Sequence, residues 1–298
     1  MLANDAWLDW NGSTWGLEPH RVKYGTDHTL EGVLYTDRRG RVRMPPLNPY
    51  LPFQFTSTGP QRPERVSRQW IEVADMLAED LASRRIVGKI ILPPEIEDAR
   101  PFHWSGLVAE TRYTYTTDLP YSMQSASQAV RKNVNKAERE GFVFEESRDA
   151  DGIVACLQST ANRKGFAYSL DVSALARLFD VLDTSRCRGH VVRDASGTVV
   201  SAGVRLLTAG GKAIDWVQGT DFGALKRGAA QLMYKGALED LANGAATSFD
   251  YGGANIRQVT AAKSAWGMRL TPYTTLGDFD LRHLVRAVKG SAARLSRR

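Results

Sequence analysis

Apolar positions recur at helical and strand periods in alternating blocks along the chain. Between Glu64 and Ser83, the residues Val66, Trp70, Val73, Leu77 and Leu81 fall three or four apart, which predicts one long helix with a single buried face. Ile86 to Leu92 (IVGKIIL) then reads as a buried strand closed by Pro93-Pro94, and Leu107 to Thr117 alternates as a further strand. The helical pattern returns from Lys226 to Gly244 with Leu232, Met233, Ala237, Leu238 and Leu241, and a strand over 246–251 follows. A helix leading at once into a strand therefore occurs twice, the order expected of two related α/β lobes.

Shorter signals fill the intervals. Runs at His20 to Tyr24, Leu30 to Thr36 and Val42 to Met44 suggest a meander. Helices are expected over about Ser125 to Glu140, Asp149 to Asn162 and Asp171 to Leu182. Strands at His190 to Arg193, Thr198 to Leu207 and Lys212 to Gln218, joined by Gly-containing turns, read as an antiparallel meander. Past Tyr251, Gly252-Gly253 permits a sharp turn, and Asn255 is the expected N-cap of a helix from about Ile256 to Trp266 that Gly267 ends. A last strand runs to Leu276. Leu281, Leu284, Val285 and Val288 then alternate with Arg282, Arg286 and Lys289, the pattern of a short amphipathic basic helix. Met44 to Tyr50 (MPPLNPY) has three prolines, too many for regular structure, and predicts a shaped loop. Trp7, Trp10 and Trp15 are read as packing residues rather than a ligand platform.

The fold expected is α/β (α+β): two lobes of mixed sheets flanked by helices, over 1–120 and 121–280, and a basic tail over 281–298. The 298 residues, 43% of them hydrophobic, suffice for such cores. No run approaches a membrane span and the N-terminus has no signal-peptide pattern, so a cytoplasmic location is expected. Cys156 and Cys187, at no metal-ligand spacing, read as packing residues. The net charge of +6 resides in the tail: its six Lys and Arg, removed from a total of 39, leave 33 against 33 Asp and Glu. Attraction of a polyanion by net charge, whether tRNA or an anionic membrane, is accordingly assigned to the tail.

There is no Walker A loop, GxSxG or HExxH, and the histidines are scattered, so no metal site is expected. Polar residues gather instead around one strand end. Asp250 and Tyr251 sit where the strand over 246–251 runs out, and Asn255, Arg257 and Lys263 lie on the loop and helix that follow, an arrangement that can line a crevice beside a sheet. A second cluster occupies the helix around 125–140, where Arg131, Lys132, Lys136 and Arg139 span about 140° of arc opposite Val130, Val134 and Ala137. Such a face is either solvated or a clamp for phosphates.

In order along the chain, MPPLNPYL at Met44 to Leu51, the basic VRKNVNKAEREG, TANRKGF at Thr160 to Phe166, and the block NGAATSFDYGGAN followed by Lys263 and Trp266-Gly267 resemble the FemAB-like branch of the GNAT acyltransferase superfamily. The resemblance covers roughly Trp7 to Leu276 and implies two GNAT-like lobes with an acyl-transfer site in the second. It further implies an N-acyltransferase that binds an activated acyl donor beside an amine acceptor, removes a proton and stabilises an oxyanion. In that reading Asp250 orients or deprotonates the amine, Tyr251 donates to the oxyanion or moves the proton, and Lys263 neutralises negative charge. Arg131, Lys132, Lys136, Lys226, Arg227, Asn255, Arg257 and Tyr50 become candidates for donor or substrate binding. Asp215 and Tyr234 are secondary candidates, since a strand Asp and a helix Tyr commonly complete structural hydrogen bonds. The donor is a co-substrate, with no tightly bound cofactor. Many acyl-CoA-dependent GNAT enzymes carry Q/R-x-x-G-x-G/A before the helix that here starts near Lys226; Leu225 stands in the Gln/Arg place. That departure favours aminoacyl-tRNA over acyl-CoA, with a cell-envelope precursor or a peptidyl natural product as acceptor. A catalytically silent binding protein on this fold is the remaining alternative.

Overall fold

The computed structural model describes residues 2–278. The amphipathic tail expected over 281–298 lies outside them. Two mixed sheets carry the chain. The smaller pairs Glu18–Tyr24, Thr29–Thr36, Val42–Arg43 and Ile86–Val87 in that order, with Gln54–Thr56 also on Thr29–Thr36. The larger runs Ile90–Ile91, Arg269–Gly277, Val108–Asp118, Ser248–Asp250, Lys212–Thr220, Val199–Leu207, Cys187–Arg193 and Val143–Glu146.

The repeated helix-then-strand order seen in the sequence corresponds to two parallel crossovers. Val42–Arg43 pairs parallel with Ile86–Val87 across the helix Pro63–Arg84, and Lys212–Thr220 pairs parallel with Ser248–Asp250 across the helix Ala229–Asn243. All other pairings in the two sheets are antiparallel.

The expected strand IVGKIIL is two pieces. Gly88, at φ 81, turns the chain so that Ile86–Val87 stays in the smaller sheet and Ile90–Ile91 joins the edge of the larger. Val108–Asp118 likewise crosses over: it lies inside the larger sheet between Arg269–Gly277 and Ser248–Asp250. The larger sheet thus contains strands from both sides of residue 120.

The tryptophans lie on a helix, Asp5–Trp15, that the periodicity did not single out. Asn4 caps it by accepting from the Trp7 amide at 2.8 Å, and Gly16 ends it in the left-handed region. Trp7 and Trp10 are buried and stacked, ring centroids 5.4 Å apart, and each meets Trp216 edge-on at 5.7 Å. The Trp10 indole donates to the Ala174 carbonyl at 2.9 Å. The first helix therefore packs on elements of the second half of the chain. Trp216 in turn donates to the Leu47 carbonyl at 2.8 Å, which fastens the proline-rich loop to the larger sheet.

Helices of the second half are punctuated as their sequences suggest, with Ser127, Asp149 and Asp171 accepting from first-turn amides. Val130, Val134 and Ala137 are buried in one cluster with Leu232, Met233 and Leu241. Cys156 and Cys187 are buried free thiols. No described helix is long and apolar enough to cross a membrane.

Candidate functional site

The candidate site lies where the parallel pair of the larger sheet comes apart. Pairing runs from Lys212↔Ser248 to Ile214↔Asp250 and then stops. Gly252, at φ 62, turns the chain directly over the neighbouring strand, where a Cβ would come 2.7 Å from the Asp215 carbonyl oxygen. Only glycine fits both demands. Asp215 to Thr220 is left without that partner, and two cavities open beside it.

The smaller cavity, of about 620 Å³, is walled by the loop from Met44 to Tyr50 and by Tyr168, Asp215, Trp216 and Tyr273. The larger, of about 870 Å³, is bounded by Thr160, Arg163, Lys164 and Phe166 on one side and by Tyr251 and Trp266 on the other. Both volumes suit small-molecule ligands or the reactive end of a larger one. Gln218, Tyr234, Val259 and Lys263 line both, so the cavities share one wall.

The shared wall is chemically dense. Tyr234 donates its hydroxyl to Asp215 Oδ2 at 2.7 Å and also contacts Gln218 Oε1. Asp215 Oδ1 faces Arg205 Nε at 3.1 Å as an ion pair without hydrogen-bond alignment, and Arg205 has no exposed surface. The Lys263 ammonium donates to the Tyr251 and Gly252 carbonyl oxygens and lies 4.6 Å from the Tyr251 ring centroid. Withdrawal from water holds that ammonium below the usual lysine range, opposed by the charges of Asp215 and Asp250. An ammonium has three donors, so one remains after the two carbonyls. Tyr251 meets Tyr234 edge-on at 4.4 Å, and burial pushes both phenols well above their usual range.

Asp250, expected to handle the amine, has no exposed surface. Its Oδ1 accepts from Thr114 at 2.6 Å and from the Gly252 amide at 2.9 Å, while Oδ2 accepts from Tyr50 at 2.9 Å and faces Lys212 at 3.5 Å. With three hydrogen bonds and Lys212 around it, the carboxylate holds Tyr50 and the Gly252 turn in place, and it lines neither cavity. Tyr50→Phe is accordingly expected to cost about 1.5 to 3 kcal/mol of stability in urea denaturation, the range for a hydrogen bond to a charged group. A loss below about 0.5 kcal/mol would show that Lys212 and Thr114 alone suffice.

Other expected residues fall elsewhere. Asn255 is no cap: the helix is Arg257–Ser264, its N-cap Ile256 has no side-chain bond, and Asn255 instead bonds the Tyr113 backbone at 2.9 and 3.1 Å and the Tyr273 hydroxyl at 3.0 Å. The side chain does for the Tyr113 backbone what a strand neighbour would. Arg257 is exposed and lines neither cavity. Nor do Arg131, Lys132, Lys136, Lys226 or Arg227. Arg131 donates to the Gln124 and Ala126 carbonyls, Lys136 donates to the Lys226 carbonyl at 2.9 Å, and Arg227 pairs with Glu140 at 2.5 Å over the Phe142 ring. Of the basic face, Lys136 ties its helix to the loop before Ala229–Asn243, while Arg131 and Arg139 bond carbonyls of their own segment. Conversely, Asp215 and Tyr234, ranked second from the sequence, stand at the centre. Gln218 and Arg205 were not anticipated; the available signal was a lone Arg in VVSAGVRLL and a lone Asp in KAIDWVQGT, charges inside otherwise apolar strands.

No protein-family model and no curated protein matches the chain. Solved structures do resemble it. FemX superposes with a TM-score of 0.64 at 14% identity, over 92% of this chain and 91% of FemX. The C-terminal domain of a putative lysylphosphatidylglycerol synthetase from Agrobacterium fabrum gives 0.58 at 12%, over 97% and 92%. L-PGS from Bacillus licheniformis gives 0.56 at 13%, over 98% and 92%. The likeness to the FemAB-like branch of the GNAT superfamily that the sequence motifs carry thus extends to the fold of nearly the whole described chain.

Proposed function

We propose that the protein is an N-acyltransferase, with the activated acyl donor in the larger cavity, the amine in the smaller, and the reacting carbonyl at their shared wall. The observation that carries this reading is the wall itself, where Gln218, Tyr234 and Lys263 face both cavities. Two substrates placed on either side of such a wall meet without diffusing, and a fixed cation and hydroxyl stand at the meeting point. The amine nitrogen attacks the acyl carbon while the remaining N–H of Lys263 stabilises the oxyanion. Tyr234 takes the amine proton as its own passes to Asp215 Oδ2; as the tetrahedral intermediate collapses, the bond from the acyl carbon to the donor oxygen breaks, and the proton returns from Asp215 through Tyr234 to that oxygen, which leaves as an alcohol.

Aminoacyl-tRNA is the donor we favour. Leu225 occupies the place of the Gln/Arg of CoA-type loops, and Arg163 and Lys164 border the larger cavity, where an RNA end brings phosphates. One of the similar structures is named as the C-terminal domain of a putative lysylphosphatidylglycerol synthetase, whose product is aminoacylated, which agrees with this choice. The amine belongs to a cell-envelope precursor or a peptidyl natural product. The specific observation favouring acyl-CoA instead is that Ala230 and Gln231, in the first turn of Ala229–Asn243, line the larger cavity, where helix amides receive pyrophosphate.

The test is mass spectrometry of candidate amines incubated with charged tRNA or with acyl-CoA. An amide product from charged tRNA supports the reading, and Tyr234→Phe should slow its formation about 10- to 100-fold. Product from acyl-CoA alone selects the second donor. Absence of product with both, when both cavities bind small ligands, identifies a binding protein.

A further inference from the structure

Beneath the helix Ala229–Asn243 the larger sheet carries a line of polar groups where apolar side chains would pack. Arg188 Nη1 donates to Asp240 Oδ2 at 2.7 Å, and the same oxygen lies 2.8 Å from His190 Nε2. The other ring nitrogen, Nδ1, is 3.4 Å from Arg205 Nη1, and Arg205 Nε faces Asp215 Oδ1 at 3.1 Å. Asp215 Oδ2 receives the Tyr234 hydroxyl at the cavity wall. The line therefore runs from Asp240, whose side chain is 23% exposed at one end, through two fully buried residues to the site.

Its chemistry has one consistent assignment. A guanidinium only donates, so His190 Nδ1 accepts and the proton sits on Nε2, donated to Asp240. Burial pushes the imidazole down to about 4, so the ring is neutral at pH 7. Charges then alternate along the line: Arg188 positive, Asp240 negative, His190 neutral, Arg205 positive, Asp215 negative. The surroundings hold it in place. Phe144 stacks on the imidazole at 5.5 Å, and Gly203 leaves the space that Arg205 fills, since a Cβ there would come 2.9 Å from Nη1. Burying an Arg in this way costs several kcal/mol that an apolar residue would not, so the sheet alone does not call for it.

We propose that His190 and Asp240 are positioning residues of the site. Asp240 fixes the tautomer of His190, His190 fixes the Arg205 guanidinium, and Arg205 holds the Asp215 carboxylate to which Tyr234 donates. The catalytic consequence rests on the acyl-transfer reading; the structural coupling does not, and the two are measured apart. Histidine nitrogen NMR of the full chain should show His190 neutral with a bare Nδ1 at pH 7, and a proton on Nδ1 overturns the assignment. In Asp240→Ala, at the partly exposed end, the Tyr234 ring-carbon resonance should shift; an unmoved resonance overturns the coupling whatever the enzyme does. In acyl transfer, His190→Phe should lower kcat about 10- to 100-fold with KM for both substrates within about twofold, the signature of a misplaced group rather than a lost contact. His190→Asn, whose side-chain oxygen accepts from Arg205 in place of Nδ1, should recover most of that loss. Equal damage from Phe and Asn, or wild-type kcat in His190→Phe, overturns the positioning role.

Discussion

Lys263→Ala is expected to lower kcat/KM by about 10²- to 10³-fold, the range for removing one preorganised donor to an oxyanion, roughly 2.7 to 4 kcal/mol. The estimate follows from placement. Lys263 stands in the wall common to both cavities and spends two of its donors on the Tyr251 and Gly252 carbonyls, which aim the third. Its helix, Arg257–Ser264, has no fully buried residue, so truncation removes little apolar packing but frees the Tyr251 and Gly252 carbonyls. Stability should accordingly fall by about 1.5 to 3 kcal/mol, the range for hydrogen bonds to a charged group, while transfer collapses. Lys263→Arg should not restore activity, because a planar guanidinium cannot direct one donor while holding two carbonyls in the same geometry. Wild-type kcat/KM in Lys263→Ala would reduce this lysine to a clasp on the Gly252 turn and move the oxyanion to Tyr251 or Gln218.

How much of this was legible in the sequence depends on the range of the interaction that fixes each feature. The helices over 63–84, 128–139 and 229–243 are set by local periodicity, with a side-chain cap from Ser127 on the second, and the sequence pattern finds them. The proline-rich loop was recognisable as irregular, but its role as a cavity wall is set by Trp216 and Asp250, far along the chain. IVGKIIL reads as one strand because β-branched apolar residues stand on both sides of Gly88-Lys89; the switch between sheets depends on Gly88, whose positive φ no periodicity reports. At the site, the Gly252-Gly253 turn and Lys263 were visible as a local block. The distinction between Asp250 and Asp215 was not: both are strand aspartates, and only the partners across the sheet show that the first is enclosed by Tyr50, Thr114 and Lys212 while the second meets the cavity. The basic helix face misled for a related reason. Its arc is real, yet Arg131 spends itself on carbonyls just before its own helix, and the Lys226 carbonyl comes within reach of Lys136 only once the helix is docked.

Trp7→Ala is expected to destabilise the protein by about 3 to 5 kcal/mol, the cost of truncating a large aromatic in a packed core. Trp7 is 1% exposed, stacks on Trp10 and meets Trp216 edge-on. Its indole N–H is buried without a partner, so the side chain contributes packing and no hydrogen bond. Trp7→Phe, which keeps an aromatic ring and removes the orphaned donor, should therefore cost much less. Urea denaturation checks this: the midpoint should fall in Trp7→Ala with the slope unchanged, as for a native-state loss in a two-state transition. The effect should also reach the site. Trp216 uses one edge to pack against Trp7 and Trp10 and its N–H to hold the Leu47 carbonyl, so a cavity at position 7 frees the strand residue that fastens the loop over the smaller cavity. KM for the amine should rise while KM for the donor stays within about twofold, because the walls of the larger cavity contain no part of that loop. A loss of less than about 1 kcal/mol would mean the site collapses around the missing ring. An equal rise in both KM values would mean that the cluster supports the whole sheet rather than the loop.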